Sequence, residues 1–461
     1  MPLPDPEKAA RQARPGLKTV WKNWSADQLL RRLLANASLL LGGKAVTAIF
    51  GIGYLALAAR GMSLEAFGTL ILIHTYTLAI GDITKFQSWQ VVLTYGTPAW
   101  NAQRLSDLRR ILRFSMRLDG LGAVAGLIVA LLGLPLAAYI FDWPPRTVEL
   151  AAYYVFCVLF LDIATTIGVL RLFDRFDLAA IQSSVGALIK LLGAALAFYH
   201  EAGLEAYLLT WMVSEIVPCF VLIAMAVHEL RQRGVWGSKA APTEETGPFW
   251  KPDRNVWKFV WSANVNTTLQ LVLTHFGTLA AGALLGAAAA ALYRIARQLT
   301  EAITTPVKLL TPTIYPELAR LMADNAIAQM RRFMLRAASL AGLGAILLAG
   351  VLILAGPWLL WAVAGPGFAP AYGVMVVLGL AAAVRLWSFP LEPMLISSGQ
   401  AVSALQVRLV TTGLYIVAMY FLCSWLGLTG AGLALLIASL ANMIGQLVFV
   451  EKWLRRHALS A

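Results

Sequence analysis

The residues best placed to do chemistry are the charged ones in YRIARQLTEAITTPVKLLTPTIYP, Tyr293 to Pro316. Arg294, Arg297, Glu301 and Lys308 stand there among apolar neighbours. At about 100° per residue on a helix they fall within about 60° of one another. Thr304 and Thr305 extend the stripe, while Ile295, Leu299, Ile303, Leu309 and Leu310 face elsewhere. A charge facing the centre of a bilayer costs about 2.5 kcal/mol or more, so this stripe faces protein or water. Arginine presents planar, paired donors that match phosphate, so an anion is the ligand such a stripe would take.

The elements that position these residues follow from composition. The chain has 461 residues, 59% of them hydrophobic and only 13% charged, with a mean hydropathy of +0.70. Soluble domains are about a quarter charged, so this is an integral membrane protein. Its apolar runs are continuous rather than alternating, which predicts an all-α polytopic fold and not a barrel. About twelve transmembrane helices are expected, near 34–59, 64–95, 110–141, 148–172, 178–200, 204–230, 256–284, 288–318, 329–363, 371–397, 402–425 and 430–453. Gly81, Pro306, Pro312 and Pro390 are the expected kink points. Cys157, Cys219 and Cys423 lie inside apolar runs and read as core residues, not as a disulfide or metal framework. The basic start has no apolar run beside it and is no signal peptide; Trp21 and Trp24 suit a short interfacial helix.

Lys and Arg concentrate in alternate loops, which places both termini in the cytoplasm. The net charge of +13 favours an anionic membrane surface over nucleic acid, because it is spread across many membrane-side loops. The chain also repeats itself. Arg60–Gly68 corresponds to Leu285–Tyr293, Leu178–Gln182 to Val402–Gln406, and Gly203-Leu204 to Gly427-Leu428, all at a shift of about 225 residues. Two six-helix bundles related by a pseudo-two-fold axis are therefore expected. They occupy 33–232 and 255–461, with a cytoplasmic tail at 1–32 and a polar linker at 233–254.

Three segments, RGMSLEAFG, YPELARL and GPGFAPAY, make the chain resemble the polysaccharide-transporter branch of the multidrug/oligosaccharidyl-lipid/polysaccharide exporter superfamily. Arg60, Glu65, Phe67 and Gly68 fit the family's turn into the second span, while Ser63 and Leu64 stand where Gly and Pro are usual. Tyr315-Pro316-Glu317-Leu318 and Gly365 to Ala371 resemble its break after the eighth span and its entry to the tenth. The resemblance implies an inner-membrane flippase for oligosaccharides carried on undecaprenyl pyrophosphate, serving lipopolysaccharide or other surface polysaccharide biosynthesis. Membrane lipids and polysaccharide assembly proteins are the implied partners.

Polar residues inside spans are candidate sites, though many only hold helices together. In the first half Lys44, Lys85, Arg117 and Lys190 face Asp82, Asp119, Asp162 and Glu215, a balance that suits internal ion pairs, with Arg117 and Asp119 near the interface. His74, Thr77, Gly81, Lys85 and Ser88 share one face of the second span, the repeat counterpart of the eighth. Asn264, Thr267, Thr274, His275 and Thr278 give the seventh span a similar face, with His275 reading as a hydrogen-bonded core residue. In the second half Arg294, Arg297, Lys308 and Arg385 meet only Glu301 and Glu392, an excess of two cations (four minus two). Arg385 and Glu392 are seven apart and would share a helix face. The expected substrate-binding set is thus Arg294, Arg297, Lys308, Lys44, Lys85, His74 and Arg385. Asp82, Asp162 and Glu301 are candidates for H⁺ or Na⁺ coupling, with no other cofactor and no metal. No phosphate-binding loop of the G-x-x-x-x-G-K-[ST] form and no nucleophile–base constellation is present, so the chain reads as a transporter and not an enzyme. A glycan polymerase would need a larger extracytoplasmic surface than the short outward loops offer. A cation-coupled multidrug exporter of the same superfamily is the closer alternative, but its cavity would be acidic where this one is basic. A non-transporting scaffold would not need polar stripes on matched helices.

Overall fold

The computed structural model describes residues 28–161, 163–236, 274–308 and 327–458, with isolated positions between them. The architecture is all-α, as composition predicts. Helices α1 (Gln28–Gly61), α2 (Leu64–Asn101), α3 (Leu105–Ile140), α4 (Pro145–Leu172), α5 (Phe176–Tyr199) and α6 (Leu204–Gln232) form the first half. The second half holds α7 (described over 274–285), α8 (Ala287–Lys308), α9 (Ile327–Ala364) and α10 (Ala371–Ser397). The continuous Ala401–Ala458 segment supplies α11 (401–426) and α12 (428–458), which part where Gly427 takes φ 59° and ψ −140°. That left-handed φ is open to glycine at no steric cost. Eight described segments are long and apolar enough to cross a membrane.

Local sequence explains the boundaries. The Ser63 side chain accepts from Ala66 N at 3.2 Å and so caps α2. This is the position where the resembled family carries Gly. Pro390 ends a short break in α10 between Trp387 and Leu391, as expected. Gly81 is not a kink. The break in α2 falls at Lys85–Gln87, and Gly81 instead lets the Leu161 side chain approach. The repeat is visible in the element ends: the 61–63 turn matches Gly286, the start of α5 matches that of α11, and Gly203 matches Gly427.

The two halves share one core at the Arg60 end. Tyr54, Phe67 and Trp211 belong with Tyr293, Phe368 and Met375 to a single buried cluster. Gly68 on α2 is packed so closely on α8 that an added Cβ would lie 1.9 Å from Ala287 O. Phe67 meets Phe368 edge-on at 5.8 Å. Arg60 donates to the carbonyls of Trp361 at 3.0 Å and Ala362 at 2.5 Å. These belong to the last turn of α9, where Trp361 O also accepts from Gly365 N at 3.1 Å and the helix dipole favours a cation. At the opposite end each half has a core of its own, around Leu108, Val169 and Leu230 in the first and Met330, Met394 and Trp453 in the second. The start of the seventh span is the exception, with Trp257 and Val260 packed against Phe114 and Leu118 of α3. Cys157, Cys219 and Cys423 are free and buried. The tail to residue 27, with Trp21 and Trp24, and the linker from 237 to 254 lie outside the described residues, as do Pro312 and the Tyr315–Glu317 break.

Candidate functional site

The α8 stripe divides between two environments. Arg297 Nε donates to Glu301 Oε1 at 2.9 Å, one turn along the same helix, and its Nη1 donates to the Thr274 carbonyl of α7. Arg385 of α10 lies within electrostatic reach of both Arg297 and Glu301. Among the described residues its guanidinium makes no hydrogen bond or ion pair, and Glu301 acts on it only at longer range. Arg408 of α11 completes the group, its Nη2 donating to Glu392 Oε1 at 2.5 Å. All three arginines line one cavity of about 230 Å³ together with Thr274, Thr411, Thr412, Tyr415, Ser439 and Asn442. Three guanidinium groups against two carboxylates leave one positive charge in the described cavity. The arrangement can therefore accept an anion through fixed, forked donors.

Arg294 goes the other way. It lies within electrostatic reach of His74 and Lys190 in the first half, and its Nε is buried without a hydrogen-bond partner. Sixty degrees of helix and one turn of offset suffice to send two long side chains from α8 into opposite bundles. Around Arg294 the first half is tightly matched. Lys190 Nζ meets Glu215 Oε1 at 2.6 Å and sits 5.7 Å and 5.4 Å from the ring centroids of Tyr54 and Trp211. His74 Nδ1 is 2.7 Å from Tyr154 Oη, and its ring meets Trp211 edge-on at 4.7 Å.

Several expected pairings differ. Asp82 pairs across the halves with His275, Oδ2 to Nε2 at 2.8 Å, rather than with a first-half cation. The reading of His275 as a hydrogen-bonded residue agrees with this. Lys85 Nζ donates to the Leu161 carbonyl at 2.9 Å. Asp119 is buried within the protein at 6% exposure, accepting from Thr165 N at 2.8 Å and from Ser88 Oγ. It pins the broken part of α4 to the restart of α2. Glu392 does not share a face with Arg385, because the Ser388–Pro390 break turns the chain between them. Its partner is Arg408 of α11. The α8 and α1 backbones run through Lys308 and Lys44, whose side chains lie outside the described residues, as does Asp162 entirely.

The α11 and α12 lining was missed, although Arg408, Thr411, Thr412 and Tyr415 at i, i+3, i+4 and i+7 are a helical polar face. Residues 33–322 match the polysaccharide biosynthesis protein family. The chain belongs to that family. Over 354 residues it is 30% identical to the inner membrane protein YghQ of Escherichia coli (strain K12), covering 77% of this chain and 98% of that one. In fold it is similar to an inward-facing multidrug resistance MATE family transporter, with a TM-score of 0.69, 13% identity and coverage of 92% and 98%. The lipid II flippase MurJ in an inward closed conformation aligns with a TM-score of 0.65, 11% identity and coverage of 91% and 90%.

Proposed function

We propose that this transporter flips a polyprenyl-pyrophosphate-linked oligosaccharide across the bacterial inner membrane for surface polysaccharide biosynthesis. The observation that carries the reading is Arg385, a cation facing a polar cavity beside Arg297 and Arg408 with no carboxylate of its own among the described residues. Pyrophosphate supplies the missing counter-charge, and forked guanidinium donors suit its oxygens. The sugars occupy the hydrated space, and the polyprenyl chain stays in lipid. Both termini are assigned to the cytoplasm from the basic loops.

Movement follows alternating access, with the halves 33–232 and 255–461 rocking about their contacts. The shared core and the Gly68–Ala287 contact hold the Arg60 end shut, which leaves the other end as the entrance. The Asp82–His275 bridge is the candidate coupling point, because it joins α2 to α7 and changes charge when it takes up a proton. Transport unaffected by collapse of the proton and sodium gradients removes that coupling role.

The test of the main reading is lipid-linked glycan analysis in a deletion strain, with wild-type and Arg385→Gln chains supplied in trans. Polyprenyl-linked oligosaccharide accumulating on the cytoplasmic face, cleared by the wild-type chain and not by the variant, is the expected outcome. Unchanged glycolipids together with altered drug tolerance would instead assign a multidrug exporter.

A further inference from the structure

A second cavity, of about 1000 Å³, opens between α9 and α12 and is floored by the break in α10. It lies on the far side of α10 from the arginine cavity, since Trp387 lines it and Arg385 lines the other. Its walls are apolar: Leu335 of α9, Trp387 and Leu447 of α12 are exposed at 60%, 57% and 44%, on helices that cross the membrane. Its charged rim is one-sided. Glu451 is engaged by Arg455 at 2.5 Å. Arg331 and Arg332, at the start of α9, have no carboxylate partner among the described residues. Arg332 Nε reaches only the Ala328 carbonyl of its own helix, at 3.3 Å.

We infer that this groove holds an anionic phospholipid, its phosphate on Arg331 and Arg332 and its acyl chains along Leu335, Leu447 and the α10 break. Three features select that occupant. The volume reaches the upper end of the range of about 300–1,000 Å³ for small-molecule sites, too much for a free phosphate. The arginines stand one helical turn, about 6 Å, before Leu335 on α9, so charge and hydrocarbon follow in the order of headgroup and chain. Arginine at a membrane surface beside a tryptophan also matches the headgroup level of a bilayer. Because Trp387 follows Arg385 by two residues, a bound lipid braces the segment that presents Arg385 to the other cavity.

The test is native mass spectrometry of the purified full chain titrated with phosphatidylglycerol or phosphatidylcholine. The wild-type chain retains phosphatidylglycerol preferentially, and Arg331→Gln/Arg332→Gln reduces that retention by roughly tenfold. Arg331→Lys/Arg332→Lys keeps most of it and shows that the fold survives. Arg110→Gln/Arg231→Gln removes the same two charges from another surface and leaves retention unchanged. Equal retention of the two lipids, an equal loss in the Arg110/Arg231 variant, or displacement of phosphatidylglycerol by inorganic phosphate or polyprenyl phosphate would overturn the assignment.

Discussion

Lys190 and Arg385 are both cations within apolar spans, one in each half, yet their surroundings differ in kind. Lys190 has Glu215 at 2.6 Å and two aromatic rings over it. Arg385 lines a cavity with Arg297 and Arg408, and the neighbouring carboxylates Glu301 and Glu392 are bonded to those two arginines. The first arrangement is closed, so it holds α5 to α6 and asks for nothing more. The second is open by one charge. On the proposed function, the first half supplies the frame and the second the ligand-binding chemistry.

The contrast can be broken from either side. Lys190→Met leaves the half-buried Glu215 without its ion-pair partner and costs up to about 3 kcal/mol, read as a lowered melting temperature. Lys190→Met/Glu215→Met recovers most of that loss, and failure to recover it would mean that the pair does more than hold helices. Arg385→Gln leaves the melting temperature unchanged but removes a charge-assisted bond to substrate. That bond is worth about 1.5–3 kcal/mol, so export falls roughly tenfold to a hundredfold. Gly68→Leu drives a side chain into Ala287 and costs the closed Arg60 end about 1–3 kcal/mol. Cysteine placed at Phe368 should then label faster with a membrane-impermeant thiol reagent. Glu392→Gln releases Arg408 and sharpens the excess charge, tightening pyrophosphate binding by up to about 1 kcal/mol in an equilibrium titration.

How much of this could be read beforehand depends on the range of the signal. Apolar run length and alternate basic loops gave the twelve spans, and a constant shift gave the repeat, because both are local or periodic properties of the chain. Arg297 and Arg385 were recognised as cavity cations because a charge in an apolar run must be accommodated somewhere. Their destination was another matter. Arg294 and Arg297 share a stripe, but α8 stands between two bundles and its side chains part. Arg408 lies seven residues into α11, and the α10 break turns Glu392 towards it. The Asp82–His275 bridge joins residues 193 apart in sequence, from helices in different halves. Nothing in their spacing announces it.

The central claim is that Arg385 is the cation left for the substrate's pyrophosphate. Equilibrium binding of a polyprenyl pyrophosphate to purified wild-type, Arg385→Gln and Arg385→Lys chains tests it most directly. The wild-type chain should bind it and lose affinity as salt rises, the lysine variant should bind more weakly, and the glutamine variant should bind weakest of the three. Equal binding by all three would contradict the assignment and move the anion away from this cavity.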